Sequence, residues 1–233
     1  MNAALPLIFL PGMMCDERLF APQIDVLRQQ RDVSVMDIGR FDTMAALAND
    51  VLSKAPEHFA LAGLSMGGIL AMEVIRQAPG RVKKLALMDT NPRAEIDEVK
   101  ASRAVHLDRV SQGDMLGVMK EVMIPKYLHQ GFPRPEIDQL CVEMARTLGD
   151  QVFINQSLAL RDRPDQQDTL AKVRVPTLIL MGEDDQLCPL DRHETMKALI
   201  PHANFVVVEK AGHLPTLEQP EATSQHLSDW LNS

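Results

Sequence analysis

The feature that most constrains this chain is Gly63-Leu64-Ser65-Met66-Gly67-Gly68, set directly after the run His58-Phe59-Ala60-Leu61-Ala62. A short apolar run, a G-x-S-x-G turn and a helical pattern predict a strand that ends abruptly, reverses and enters a helix, with the serine at the apex. Glycines flank the serine because so tight a turn leaves no room for a Cβ on either side. Residues 69–78 carry the helical pattern, and Pro79-Gly80 stops it.

Elsewhere apolar runs alternate with amphipathic ones, the pattern of a parallel sheet with crossover helices. Residues 5–10, 33–38, 58–62, 82–88, 175–181 and 204–208 read as six parallel strands. Helices are expected over 43–53, with Leu47, Val51 and Leu52 inward, over 190–199, and over 221–231, burying Leu227, Trp230 and Leu231. The fold class is therefore α/β, a mostly parallel twisted sheet with helices on both faces. The alternation breaks between residue 91 and about residue 172, which hold no convincing strand. Helices are expected there near 94–110, 115–122, 135–148 and 151–160, punctuated by Gly113, Gly131-Phe132-Pro133 and Gly149.

A serine hydroxyl is a weak nucleophile unless a base takes its proton and an acid orients the base. Two later segments offer such groups. Gly182-Glu183-Asp184-Asp185 follows the fifth strand, and Ala211-Gly212-His213-Leu214-Pro215 follows the sixth. Both fall on loops past the C-terminal ends of strands, where open parallel sheets place their ligands.

With these three segments in this order the chain resembles the α/β-hydrolase superfamily, over nearly its whole length. The resemblance implies Ser65 as nucleophile, Asp185 as acid and His213 as base. Asp184 lies beside Asp185 as a competitor, its ordinary role being that of a solvated loop carboxylate. Asp89, after the fourth strand, is a second, because some relatives draw their acid from that strand end. His58, His202 and His226 read as surface positions, His193 falls too early for the base, and His106 and His129 lie in the helical insertion.

Many relatives carry His-Gly after the first strand; this chain has Pro11-Gly12. An oxyanion needs a backbone N–H aimed at it and no particular side chain. The resemblance implies the amides of Met13 and Met66, with Gly12 supplying flexibility. The side chains of Met13, Met14 and Cys15 either line an acyl pocket or pack beneath the loop. The resemblance also implies that residues 93–172 form a helical cap between the fourth and fifth strands, over a core of 1–92 and 173–233. Met115, Met119 and Met123 recur at helical spacing in that cap, as ordinary packing or as an adaptable pocket wall. Arg161 and Arg163 stand where the cap returns to the core, either clamping a substrate carboxylate or pairing with Asp162 and Asp165.

The activity implied is hydrolysis of a small ester or related acyl compound through an acyl-enzyme, with no metal or organic cofactor. Carbon–carbon bond hydrolysis, lactone opening, perhydrolysis and cyanohydrin cleavage run on the same three groups. A non-catalytic small-molecule receptor is the rival from another class.

Composition bounds the partners. The 233 residues suit one α/β domain, and a formal net charge of −8 argues against nucleic acid and anionic membrane surfaces. The expected partner is a small acyl substrate. Three widely spaced cysteines, Cys15, Cys141 and Cys188, fit neither a disulfide framework nor a zinc site and point to a reducing compartment. Met1-Asn2-Ala3-Ala4 has no basic character and is expected to lead into the first strand, not to form a signal peptide. A soluble cytoplasmic protein is the expectation.

Overall fold

The computed structural model describes residues 4–233; Met1, Asn2 and Ala3 lie outside the described residues. Six strands form one parallel sheet: β1 (Leu7–Leu10), β2 (Val33–Val35), β3 (Phe59–Leu64), β4 (Val82–Met88), β5 (Thr177–Gly182) and β6 (Asn204–Val208). Their order across the sheet is β2-β1-β3-β4-β5-β6, and every pairing is parallel. β1, β3 and β5 are buried throughout, whereas the edge strands β2 and β6 are partly exposed. That is why the central strands read as continuous apolar runs: helices cover them on both faces.

The order reverses once. From β1 the chain steps outward to β2, then returns past β1 to β3 and proceeds the other way. Right-handed crossovers make the first helix, α1 (Ala21–Leu27), land on the face opposite α2 (Met44–Lys54) and α3 (Met66–Gln77). The crevice between the diverging β1 and β3 ends is the switch point of the sheet, where ligands bind in open α/β folds.

Five helices lie between β4 and β5: α4 (Asp97–Ser111), α5 (Met115–Val118), α6 (Pro135–Leu148), α7 (Asp150–Arg161) and α8 (Gln167–Leu170). The helix expected over 115–122 stops early. It passes into a π-type turn over Met119–Met123 and a short 3-10 turn over Ile124–Lys126, where Pro125 has no N–H to continue the α ladder. Gly149 separates α6 from α7 at φ 80°, a conformation that a Cβ would strain. The fold closes with α9 (Leu190–Leu199), α10 (Pro215–Glu218) and α11 (Pro220–Asn232), and α11 packs beside α1. Leu227, Trp230 and Leu231 are buried there as expected. α1, α8 and α10, of seven, four and four residues, have no counterpart in the sequence reading.

Candidate active site

The turn after β3 is built by close approach. A Cβ at Gly63 would lie 2.2 Å from the Gly67 carbonyl oxygen, and one at Gly67 would lie 2.0 Å from that of Leu10. Neither contact can be relieved by a rotamer, because both involve backbone. The unusual dihedrals fall on the serine itself: Ser65 has φ 55° and ψ −115°. Such a conformation costs about 1–3 kcal/mol and persists only where the surroundings enforce it. Here the Ser65 N–H donates to the Met88 carbonyl at 2.9 Å, and the Ser65 carbonyl accepts from Thr90 Oγ1 at 2.7 Å.

Three loops meet at the mouth of the sheet. His213, on the loop after β6, places Nε2 2.8 Å from Ser65 Oγ and Nδ1 2.8 Å from Asp185 Oδ1. Asp185, on the loop after β5, also accepts the Leu187 and Cys188 amides at 2.9 and 3.0 Å. Burial alone would raise its pKa; the His213 ring beside it and the two amides outweigh burial and hold the carboxyl below its ordinary value. The structure thus brings together the three groups picked from sequence. Asp184, the neighbouring competitor, is turned away and accepts the Gln130 amide at 3.0 Å.

Asp89 sits behind Asp185 and makes no hydrogen bond to His213. One of its oxygens accepts the Gly182 amide at 2.8 Å. The other oxygens of Asp89 and Asp185 are buried without an N–H donor. Burial, and then the charge of Asp185, push Asp89 well above the carboxylate range. Both effects favour the protonated form of Asp89 more than in an ordinary carboxyl.

The His213 loop has its own anchors. Its N–H donates to the Tyr127 carbonyl at 2.7 Å. Glu218 gathers the amides of Gly212 (2.8 Å), Leu214 (3.3 Å) and His129 (2.8 Å), tying that loop to the segment before α6. Burial raises the Glu218 pKa against the opposing pull of these amides. His193 is fully buried and held neutral, its pKa pushed down by burial to about 4. It accepts the Thr90 amide at 3.3 Å and so braces the loop that holds Ser65. Sequence reasoning assigned no part to Thr90, His193 or Glu218. Their partners are distant backbone groups that no spacing rule reveals.

Met66 is the first residue of α3, so its N–H has no intrahelical partner and lies at the positive end of the helix dipole. The Met13 N–H has no acceptor among the described residues either. The loop bearing Met13 departs from expectation at Gly12. Gly12 has no positive φ, and a Cβ there would sit in ordinary contact 3.6 Å from Leu64 and Ser65. Met14 is the left-handed residue instead, at φ 57°, and its N–H donates to Gln156 Oε1 at 2.9 Å.

A cavity of about 580 Å³ opens over Ser65 and His213. Met13, Cys15, Met123 and Tyr127 line it. Four of the sequence-based pocket candidates do not. Met14 is fully buried beneath its loop, Met115 and Met119 face the helical interior, and Arg161 points to solvent and pairs with Asp162 at 2.6 Å. Arg163 lines the cavity in place of Arg161: α7 ends at Arg161, and the chain turns after it so that the Arg163 side chain is buried against Glu95.

Among the described residues one group has metal-ligand spacing: Asp185, Cys188 and His213, within 4.8 Å of one another. His213 already engages both ring nitrogens, and burial pushes the Cys188 thiol well above its usual pKa. A metal held by Asp185, Cys188 and the ring nitrogen facing them would replace the His213–Asp185 hydrogen bond. Cys15 and Cys141 are likewise free and buried. No helix of the described residues is long and apolar enough to cross a membrane.

A parallel sheet with a strained serine after β3, answered by a histidine and an aspartate past β6 and β5, defines an α/β hydrolase. Residues 8–226 match the sequence model of the Alpha/beta hydrolase family, and the chain belongs to that family. It is 28% identical over 239 residues to the AB hydrolase superfamily protein YclE of Bacillus subtilis, covering 93% of this chain and 82% of that protein. It is 23% identical to a pimeloyl-[acyl-carrier protein] methyl ester esterase of Aliivibrio salmonicida, covering 97% and 91%. A thermophilic esterase from Thermogutta terrifontis, solved with malate bound, superposes with a TM-score of 0.88 at 29% identity, covering 100% of this chain and 91% of that one.

Proposed function

We propose that this protein is a serine hydrolase of small carboxylic esters. The observation that carries the reading is the continuous contact from Ser65 Oγ through His213 to Asp185, at 2.8 Å on each side, beneath a cavity large enough for a small ester. His213 takes the proton as Ser65 attacks the carbonyl, and Asp185 holds the ring and stabilises its positive charge. The Met13 and Met66 amides receive the oxyanion; each such donor is worth about 10²–10³ in rate. His213 then protonates the leaving alcohol, and water reverses the sequence to release the acid. Residues 93–172 act as a cap whose cavity-facing side selects the acyl group. The esterase relatives named above support ester cleavage over the other reactions this triad performs.

The test is hydrolysis of p-nitrophenyl acetate and butyrate. The wild type should turn both over and form a covalent adduct with a fluorophosphonate at Ser65. Ser65→Ala should lose at least about 10³-fold in kcat while keeping the same thermal unfolding curve. A wild type that cleaves neither ester nor accepts the probe, yet binds ligands as well as Ser65→Ala does, would establish a receptor instead.

A further inference from the structure

The chain carries a net charge of −8, yet the wall of the cavity over Ser65 holds five basic residues against two acidic ones. The imbalance is built by sharing. Glu95 is 2.8 Å from both Arg103 and Arg163, so one carboxylate faces two guanidiniums. These are not loose surface groups: the side chains of Arg103, Arg163 and Glu95 are 17%, 5% and 7% exposed. Arg163 is further fixed by donating Nε–H to the Arg93 carbonyl at 2.9 Å. On the same wall Arg93 and Arg192 divide the single carboxylate of Asp191. Lys126 on the same wall has no carboxylate partner among the described residues, and Glu98 has no basic one.

Two features place this charge relative to the chemistry. Arg103 Nη1 lies 3.9 Å from Met13 Sδ, one methionine side chain away from the amide assigned to the oxyanion. His106, half-buried on the same wall, is held below its ordinary pKa by burial first and then by Arg103, Arg109 and Lys126, with no anion opposing them. An anion entering the cavity meets a guanidinium that is already fixed, partly dehydrated and not fully neutralised. Such a site binds a carboxylate more strongly than a flexible surface lysine would, because less ordering remains to be done.

We infer that the Arg103–Glu95–Arg163 cluster is a carboxylate-binding subsite, and that the substrates are esters carrying a second, free carboxylate beyond the scissile bond. The inference rests on the ester reading of Ser65 for its catalytic half only. Anion binding stands or falls separately. The anionic group docks against Arg103, and the carbonyl then lies over Ser65 with its oxygen toward Met13 and Met66.

The experiment compares monomethyl succinate, glutarate and adipate with methyl butyrate, valerate and hexanoate, in which a methyl replaces the free carboxylate. At low salt the wild type should favour at least one charged member by about tenfold or more in kcat/KM, and added salt should erode the preference. Arg103→Gln should lower that charged-to-neutral ratio about tenfold, and Arg103→Lys should restore part of it. Calorimetric titration with glutarate and adipate gives a readout independent of turnover; binding should weaken in Arg103→Gln. If p-nitrophenyl esters are cleaved through Ser65 but dicarboxylates neither bind nor are preferred as monoesters, the subsite is refuted and the hydrolase reading survives. If dicarboxylates bind through Arg103 and no ester is cleaved, the subsite stands and the hydrolase reading falls.

Discussion

Replacing Gly182 by alanine tests whether the relay depends on the fit between two loops. Gly182 ends β5, donates its N–H to Asp89 at 2.8 Å, and receives the Asp185 N–H on its carbonyl at 3.3 Å. Its Cα faces the His213 loop. A Cβ built there would lie 1.8 Å from the Gly212 carbonyl oxygen and 2.6 Å from that of Ala211. Ordinary contact begins at 3.4 Å, so the loops must part by about 1.6 Å, and only backbone can move. Gly212 adjoins His213, and Asp185 is three residues beyond Gly182, so the shift falls on their 2.8 Å bond. Half of it stretches that bond to roughly 3.6 Å, outside hydrogen-bonding range. A misplacement near 1 Å costs about 10²-fold in rate, and losing the orienting acid altogether costs about 10⁴. The overpacking penalty on folding is only about 1–3 kcal/mol. The expected result is kcat/KM for p-nitrophenyl butyrate reduced between those limits, in a protein whose urea unfolding curve shows it still folded under assay conditions. A folded Gly182→Ala variant within roughly threefold of wild type would refute the reasoning.

Asp89→Asn separates the two buried carboxyls. Asp89 has a raised folded pKa, so its contribution to stability is complete below the unfolded value of about 3.9 and is lost as pH climbs through the raised one. The neutral amide cannot ionise and so avoids that loss. Tm of the variant relative to wild type should rise from pH 5 to pH 9, by about 2–4 °C per kcal/mol recovered; a difference constant with pH would contradict it. Gln156→Leu removes the acceptor of the Met14 amide, leaving a buried N–H that costs about 1–3 kcal/mol and freeing the φ 57° residue beside Met13. Stopped and steady-state assays should show kcat down about tenfold or more with KM little changed, because the oxyanion is bound more strongly than the ground-state carbonyl; equal losses through KM would place Gln156 in substrate binding instead.

Much of the fold was legible because its signals are local. The strands over 82–88 and 204–208, and the helices over 135–148 and 190–199, appear at the limits read from periodicity. The continuous apolar run at Phe59–Leu64 marks a strand covered on both faces, and the glycines around Ser65 mark a turn too tight for side chains. Cavity-facing residues were much less legible. Arg161 and Arg163 are equivalent in sequence, but Arg161 ends α7 and pairs with Asp162, whereas Arg163, past the helix end, is buried against Glu95. The Met115 and Met119 spacing is satisfied by packing within the helical segment, a choice periodicity cannot distinguish from lining a cavity.

Periodicity was enough to determine a parallel α/β sheet, and three short segments carried the family resemblance that implied Ser65, Asp185 and His213, because strand ends and tight turns are written in neighbouring residues. Tertiary structure alone decided that Asp89 backs Asp185, that Glu218 and His193 brace the loops around the serine, and that Arg103 and Arg163 share one carboxylate in the cavity wall. Those relations join groups far apart in the chain through burial and backbone contacts. Burial and proximity are properties of the folded chain, and no local pattern encodes them.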